Sequence, residues 1–350
     1  MTAESHARPG PRNLITDVAG LAVGSAQDER VRTGVTVVVA DGLVAAGCDV
    51  SGGGPGTRET DALRPENLVG RLDAVTLSGG SVYGLGAADA VAAALGAQGR
   101  GYRLRPVEGI PLSPLVGGAI LYDLANGGDK AWGEAPPYAA LGRSAFAAAG
   151  PDFALGTAGA GYGAVAGALK GGLGSASVVT HDGITVGALV AVNSFGSVVG
   201  PDGCSFWAAP FEIGQEFGGT DPGELYARPD AWPHSKRDPQ GLANTTIAVV
   251  ATDADLTTAE ATRVARMAKA GMARAIRPVF SPFDGDVVFA LATGRVASPE
   301  PRVYTLARIG ALAADCLSRA IARGVHAARA WQGSDLPDWA AANGAGRRDD

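Results

Sequence analysis

Short apolar runs separated by glycine-containing breaks recur along most of the chain. Runs that are rich in Val and end at glycine are typical of buried strands. The first two are GVTVVVADG and LDAVTLSG, and three later runs have a similar character. The pattern predicts strands at residues 34–42, 72–79, 184–193, 245–253 and 286–293.

Three further segments have the composition of helices. The segment after Ser81 is rich in helix formers and ends at glycine, so a strand, a glycine loop and a helix follow one another there. Asp255 is a predicted N-cap, and the apolar residues after it roughly follow one helical face and stop before Pro278. The predicted helices cover residues 82–99, 255–276 and 304–331.

Three segments lack such patterns. Residues 1–12 and 341–350 are polar, and we expect both to be disordered. Residues 217–241 are dense in Pro, Gly and charge, which is typical of a linker. A loop of that length inside a compact domain is usually functional or disordered. Because it ends just before Asn244 and Thr245, it indicates a role for that junction.

Glycine is the outlier in the composition. It accounts for 52 of the 350 residues, about twice its usual ~7% share. The glycines have no collagen-like period, and Val, Leu and Ala are abundant between them. This composition fits a folded protein with many close backbone approaches, and the length allows one large domain or two ordinary ones.

Charge and cysteine content limit the possible partners. The formal net charge is -6, and acidic and basic residues are mixed along the chain, without a basic stripe for nucleic acid or a cationic membrane face. Cys48, Cys204 and Cys316 are odd in number and far apart, which suggests neither a disulfide framework nor a metal site. The chain has no apolar signal core and no run of ~18 apolar residues. We therefore expect a cytoplasmic, soluble protein that binds neither nucleic acid nor a membrane.

Two common site types fit the sequence poorly. GGSVYG around Ser81 approaches the G-x-S-x-G elbow of serine hydrolases, but Tyr83 occupies the last glycine position. The four histidines lie near the chain ends or in loops, so a Ser-His-Asp triad lacks a base. Gly161, Gly163 and Ala166 fit a dinucleotide fingerprint, yet no strand leads into them and no acidic residue follows at the required distance. Neither site is predicted.

Two charged positions stay open at this point. Asp284-Gly285-Asp286 is compatible with an Asp-Gly hairpin turn, with an acid–base or orienting pair, or with a metal site that would lack a histidine and a third carboxylate. Lys170 is flanked by small residues in GALKGGLGSAS. It is either a site residue or a lysine whose stem is covered while its ammonium reaches solvent.

The junction GLANTTIAVVATD is the most specific candidate for chemistry. If the bond between Asn244 and Thr245 is cut, Thr245 gains a free α-amine with a pKa of ~7.7–8.0, and that amine can act as the base for its own hydroxyl. Nucleophile and base then lie on one residue, and no histidine is needed. Without other information, the residues favour a loop that ends at Asn244 and a strand that begins with threonines because of their β propensity.

From about Asn13 to Ala330 the chain resembles the self-cleaving aminopeptidases of the DmpA type, whose relatives include β-peptidyl aminopeptidases and the nylon-oligomer hydrolase. The matching blocks occur in the family's order, and they include SGGGPGTRETD, ILYDLANGGDKAWG, VGALVAVNSFGSV, NTTIAVVATD and SPFDGDVVFALATG. The resemblance implies an α+β fold, an αββα four-layer sandwich of one domain. After self-cleavage that domain consists of an α fragment (residues 1–244) and a β fragment (residues 245–350).

The resemblance also implies roles for individual residues. Thr245 matches the nucleophile, which is serine in most of the aminopeptidases. Asn193 matches an oxyanion-hole donor, and Tyr122 matches a site residue that offers a second donor, although each is also compatible with a buried polar residue bonded to backbone. Lys170 matches a lysine that could hold the threonine hydroxyl in a reactive state. Asp284 and Asp286 match positions that contact the nucleophile's amine.

The implied activity is amide hydrolysis through an acyl-Thr245 intermediate, with no metal or organic cofactor. The implied substrate is a small peptide-like or linear amide, and the family implies a homo-oligomer, possibly a tetramer. Two alternatives remain: acyl transfer to an amine, as in the ornithine acetyltransferases that resemble this architecture, and a non-catalytic binding protein in which the Asn244–Thr245 bond stays intact.

Overall fold

The computed structural model describes residues 7–219, 225–227, 231–236 and 244–344, and it has the α+β composition that the sequence predicts. The strands are β1 Leu21–Asp28, β2 Thr33–Val50, β3 Thr57–Arg58, β4 Arg71–Ser78, β5 Val116–Ile120, β6 Val165–Ala166, β7 Leu169–Lys170, β8 Gly172–Val179, β9 Thr185–Asn193, β10 Thr245–Ala254 and β11 Val287–Val296. The helices are α1 Gly86–Ala97, α2 Tyr138–Ala147, α3 Thr258–Ala268, α4 Ala270–Ala275, α5 Arg302–Ala327 and α6 Trp339–Ala342.

One long strand joins two halves of a mixed sheet. The order is β3-β5-β4-β2-β11-β10-β9-β8, with β1 paired to β2. The first part of β2 pairs with β1 and β4, and its last part, residues 45–50, pairs with β11. Strand β2 therefore belongs to both halves, and the two halves remain one hydrogen-bonded sheet.

Three apolar cores separate four layers. One core lies between α1 and α2 and the first half of the sheet, and includes Val35, Val37 and Leu95. A second contains residues from both halves, such as Val38 and Val249. The third lies between the second half and α3, α4 and α5. This order of helices, sheet, sheet and helices is the αββα sandwich, as predicted.

Strand β10 lies in the middle of the second half because it is apolar on both faces. Successive side chains of a strand point to opposite faces. Ile247, Val249 and Ala251 enter the core between the two sheet halves, whereas Ala248 and Val250 enter the core against the helices. Strand β9 borders β10 on one side in antiparallel pairing, and β11 borders it on the other in parallel pairing. The residue that begins β10 is thereby held by two neighbours.

Two helix predictions need correction. The N-cap of α3 is Thr257 rather than Asp255, because its side chain accepts the N–H of Glu260 while the Glu260 side chain binds back to it in a capping box. The predicted helix 255–276 is two helices, α3 and α4, that meet at Lys269. The predicted helix 304–331 begins earlier and ends at Ala327.

The prediction of disordered ends is wrong where the structure describes them. Arg8 forms a β-bridge with Val179, and the backbone N–H of Arg12 donates to Asp17. Helix α6 lies at the start of the other end. Residues 1–6, residues 345–350 and most of the predicted linker after Gly219 lie outside the described residues. Within the described part of the chain, no helix combines the length and apolar character that crossing a membrane requires.

Candidate active site

Thr245 is the first residue of β10 and is held from both sides. Across the ladder to β9 it is paired with Asn193, the last residue of that strand. On the other side, the preceding residue Asn244 forms a parallel bridge with Asp284, just before β11. The three segments therefore bring Thr245, Asn193 and Asp284 together by sheet pairing.

The hydroxyl of Thr245 contacts the peptide bond that precedes it. Its Oγ1 donates a hydrogen bond to the carbonyl oxygen of Asn244, and the backbone N–H of Gly285 donates to the same oxygen at 3.2 Å. Asn244 and Thr245 are 2% and 3% exposed. A hydroxyl group and a backbone donor thus meet at one buried carbonyl group.

Asn193 is buried and anchored through its side chain. Its Oδ1 accepts the backbone N–H of Val165 at 2.9 Å, and its Nδ2 donates to the backbone carbonyl of Tyr122 at 3.0 Å. A side-chain amide is a hydrogen-bond donor of the kind that can stabilise a developing negative charge. The structure places the predicted donor next to the predicted nucleophile in the sheet.

A cavity of about 160 Å³ lies beside Asn193. Tyr122, Asp123, Asn126 and Lys236 line it together with Asn193. Tyr122 follows β5 and contacts Asn193 through its backbone carbonyl, not through the hydroxyl that the resemblance offers as a second donor. Asn193 is part of the cavity wall, and the cavity is large enough for a small substrate group.

The two aspartates of the DGD sequence are 1% exposed. Asp286 accepts the N–H of Thr246 at 2.7 Å through Oδ1 and that of Phe280 at 3.1 Å through Oδ2. Asp284 accepts the N–H of Phe195 at 3.2 Å and the hydroxyl of Ser281 at 2.6 Å. The hairpin-turn interpretation is wrong, because β11 runs parallel to β10 and the loop turns both carboxylates inward to backbone donors.

The charge of Asp284 influences the ionisation of Asp286. Burial, and then the negative charge of Asp284, raise the pKa of Asp286 to about 7. The cause is that water no longer solvates the charge, and a like charge nearby disfavours a second one. The carboxyl group of Asp286 therefore changes its protonation state near neutral pH, where an aspartate with the ordinary pKa of 3.8 is fully ionised.

Lys170 is fully buried, so the interpretation of a covered stem with an exposed ammonium is wrong. Its Nζ donates to three backbone carbonyls, those of Gly161, Ala164 and Gly171, at 3.0, 2.9 and 2.7 Å, and lies 4.8 Å from the ring centre of Trp331. Burial lowers the pKa of Lys170 to about 7, and the charge of Asp123 opposes that shift. All three hydrogens of the ammonium are directed to carbonyls, so its contacts are with backbone rather than with the Thr245 hydroxyl.

Sequence reasoning missed two charged residues at the cavity. Asp123 accepts the N–H of Gly80 at 2.7 Å and the hydroxyl of Thr33 at 2.6 Å, and burial raises its pKa. The Nζ of Lys236 lies 3.3 Å from the carbonyl oxygen of Asn193, and burial lowers its pKa to about 7. Both residues lie next to features that the sequence analysis had singled out. Asp123 directly follows Tyr122, and Lys236 lies in the predicted linker before the Asn244–Thr245 junction.

Other places in the described residues offer less. A larger cavity, about 600 Å³, lies between β1, β2, α1 and α2, and none of the predicted site residues lines it. Among the described side chains, no three His, Cys, Asp or Glu residues form a group that could hold a metal ion. Asp286 and Lys236, whose pKa values are strongly shifted, contact Thr246 and Asn193 beside Thr245, which makes this the candidate active site.

Comparison with known proteins gives consistent likenesses. The family model described as peptidase family S58 matches residues 13–336. A protein of Mycobacterium tuberculosis (strain ATCC 25618 / H37Rv), described as an uncharacterized aminopeptidase, is 43% identical over 330 residues, which cover 89% of this chain and 93% of the relative. The 6-aminohexanoate-oligomer endohydrolase of Kocuria sp. (strain KY2) is 29% identical over 308 residues, which cover 83% of this chain and 78% of the relative.

A solved structure shares the fold. The L-aminopeptidase D-Ala-esterase/amidase from Ochrobactrum anthropi, described as a variant of the Ntn hydrolase fold, superimposes with a TM-score of 0.70 at 23% identity. The superposition covers 95% of this chain and 91% of the other. The likeness in fold therefore extends over nearly the whole molecule.

Proposed function

The chain belongs to peptidase family S58 and is a hydrolase that acts on amides, and from this premise we propose that it first cuts its own Asn244–Thr245 bond and then uses Thr245 as an N-terminal nucleophile. In the first reaction the Thr245 hydroxyl attacks the carbonyl carbon of Asn244, which gives an ester that water hydrolyses. In the second, the same oxygen attacks a substrate amide.

One observation carries this proposal. The Thr245 hydroxyl is hydrogen-bonded to the carbonyl oxygen of Asn244 at a buried position, at the beginning of a central strand. Buried strands on both sides hold that position, so the hydroxyl and the peptide group are in contact before any reaction. Such preorganisation lowers the entropic cost of reaching the transition state.

The neighbouring residues supply the remaining roles. After the cut, the α-amine of Thr245 acts as the base for its own hydroxyl. The amide of Asn193 stabilises the substrate oxyanion, with Tyr122 at the same cavity. Asp286 and Asp284 orient the start of β10 and favour the charged form of the amine. Lys170, paired with Val165 beside Asn193, favours negative charge at the site when it is protonated. The contacts of Asp286 with Thr246 and of Asn193 with Tyr122 support these assignments.

We propose short linear amides as substrates. Two likenesses support this class, one to an uncharacterized aminopeptidase and one to a 6-aminohexanoate-oligomer endohydrolase. The cavity of about 160 Å³ beside Asn193 holds a few heavy atoms, which suits a short unbranched acyl group. Dipeptide amides and ω-amino-acid dimers are therefore the first compounds to compare.

The cut leaves an α fragment, residues 1–244, and a β fragment, residues 245–350, of one domain. Strands β10 and β11 of the β fragment lie between β9 and β2 of the α fragment. Separation would break both outer ladders, so we expect the fragments to stay together. A cytoplasmic location and a homo-oligomer belong to the same proposal, and native mass measurement tests the latter.

Intact mass under denaturing conditions tests the central step. We expect two fragments that join at Asn244 and Thr245 in the wild type, and one full-length chain in Thr245→Ala. Thr246→Ala is the matched control, because it removes a buried hydroxyl from the next residue, and it should still give two fragments. A full-length wild-type chain after prolonged incubation, or fragments in Thr245→Ala, would overturn the proposal.

A further inference from the structure

The carbonyl oxygen of Asn244 has a backbone donor that the sequence did not indicate. The N–H of Gly285, at the loop between the two site aspartates, lies 3.2 Å from this oxygen. We infer that the Gly285 N–H is the oxyanion donor of the self-cleavage step. The inference rests on the proposed function, because it assigns a role in the reaction of Thr245 with Asn244.

The chemistry of the step requires a donor at this place. As Oγ1 of Thr245 bonds to the carbonyl carbon, the carbonyl oxygen of Asn244 takes up negative charge. The C–N bond to Thr245 then breaks, the electron pair of that bond stays on nitrogen, and the hydroxyl proton ends on the new α-amine. A donor that is already directed at the oxygen stabilises the charge without rearrangement.

The position of this donor is fixed by the sheet. Asn244 and Asp284 form a parallel bridge, so the Gly285 N–H that follows Asp284 points across to Asn244 as part of that pairing. Buried carboxylates on both sides of Gly285 hold the loop through Phe195, Ser281, Thr246 and Phe280. The loop therefore presents one backbone N–H to the scissile carbonyl in a fixed geometry.

Gly285 and Asn193 approach the reacting strand from opposite neighbours. Gly285 lies on the β11 side, where Asn244 is paired, and Asn193 lies on the β9 side, opposite Thr245. The Asn193 side chain is anchored to Val165 and Tyr122 at the cavity. The backbone donor for self-cleavage, the Gly285 N–H, therefore lies on the β11 side of β10, away from the substrate cavity beside Asn193.

Only glycine fits at position 285. A Cβ atom there would lie 2.7 Å from the carbonyl oxygen of Gly54 and 2.9 Å from Oγ1 of Thr245. Any larger residue would push the loop or the nucleophile away and lengthen the contact with Asn244. At Gly54, by contrast, the nearest atom to an added Cβ is the Asp284 carbonyl oxygen at 3.9 Å, an ordinary contact.

An amide-to-ester replacement removes the donor without adding a side chain. Glycolic acid is placed at position 285 of the full chain by cell-free translation with nonsense suppression, and self-cleavage is followed by denaturing intact mass. The masses distinguish a cut at Asn244–Thr245 from chemical hydrolysis of the new ester. We expect cleavage to slow roughly 10²-fold. The same replacement at Gly53, whose N–H donates to the Ser281 carbonyl at 3.3 Å, should leave the rate within about threefold of wild type.

A second pair of variants distinguishes a local effect at Gly285 from a folding defect. Gly285→Ala should slow self-cleavage strongly, Gly54→Ala should not, and circular dichroism melting shows whether each variant folds. Wild-type cleavage by the Gly285 ester, or equal slowing by both esters, would overturn this inference while the proposed function stands. Failure of the proposed function has a different signature: the wild type stays whole, or Thr245→Ala is cut.

Discussion

Thr245 and Asn193 are directly opposite each other in the ladder between β10 and β9. Each lies at the end of a strand whose residues are buried on both faces, so the separation of hydroxyl and amide is set by sheet pairing and not by a loop. A change at either residue therefore alters the chemistry with little freedom for the backbone to compensate.

The first prediction concerns the amide of Asn193. Asn193→Ala should lower kcat for amide substrates by about 10²–10³, because the oxyanion loses a donor. It should also lower the free energy of unfolding by about 1–3 kcal/mol, because the Val165 N–H and the Tyr122 carbonyl lose their partner. Steady-state kinetics per cleaved chain and urea unfolding measure the two effects.

Asn126→Ala is the control for that experiment. Asn126 lines the same cavity, and its Nδ2 donates to the carbonyls of Arg32 and Gly163, both at 2.8 Å. It should destabilise the protein to a similar extent and leave kcat within about tenfold of wild type. Equal losses of kcat in the two variants would contradict a direct role for Asn193.

The second prediction concerns the pH dependence of self-cleavage. In the proposed mechanism the ionised carboxylate of Asp286 orients the start of β10, so the rate falls as pH drops through its pKa of about 7. Asp284→Asn removes the like charge that helps to raise this pKa. The pKa of Asp286 should fall, and the acid limb of the rate profile should move to lower pH by about one unit.

Rates of cleavage by intact mass between pH 5 and 9 test this. Asp253→Asn is a suitable control, since Asp253 is another buried carboxyl on β10 and accepts the N–H of Thr185 at 2.8 Å, at the end away from the site. Its acid limb should stay in place. If the pH at which the cleavage rate falls stays the same in Asp284→Asn, or shifts in Asp253→Asn, the result would argue against an effect of the Asp284 charge on Asp286.

The central strands could be predicted closely from sequence. Strands β9, β10 and β11 are continuous apolar runs, and they begin within one residue of the predicted positions. The extent of β2 could not be predicted, because it continues past Asp41 and Gly42, where its polar, exposed positions read as a break. The pairing of β2 with β4 shifts in register between Val39 and Val44, and from Ala45 onward β2 pairs with β11, so only tertiary pairing explains why the strand continues.

The side chains of the candidate site could be proposed from the sequence. Thr245, Asn193 and Asp286 follow from the resemblance, and their contacts in the structure agree with a common site. Gly285 could not be predicted in the same way, because its contribution is a backbone N–H and carries no side-chain signal. Its position becomes visible only when the pairing of Asn244 with Asp284 is known.

The third prediction follows from the corrected cap of α3. Thr257→Ala should lower the free energy of unfolding by about 1 kcal/mol, because the N–H of Glu260 loses its acceptor. Asp255→Ala should change it by less than about 0.5 kcal/mol, since Asp255 is exposed and lies outside the capping box. Urea unfolding of both variants distinguishes the two caps, and the reverse order would support the sequence prediction.

The last prediction concerns Lys170 and stability at alkaline pH. The folded pKa of about 7 is below the ordinary value of a lysine, 10.5, so between these values the unfolded chain binds more protons than the folded one. The free energy of unfolding should therefore rise with pH across that window, by at most about 1.4 kcal/mol per pH unit from this group. Lys170→Met should remove this part of the slope, while the similar contribution of Lys236 remains.

Urea unfolding at pH 7, 8 and 9 measures the slope, in a Thr245→Ala background so that one uncut chain unfolds. Lys170→Met should be less stable at every pH, because three backbone carbonyls lose their donor, but its stability should depend less on pH. Lys269→Met is the control, since its ammonium lies at the surface 3.1 Å from Asp49. An unchanged slope in Lys170→Met would mean that the buried ammonium keeps its proton throughout, held by the carbonyls and the Trp331 ring.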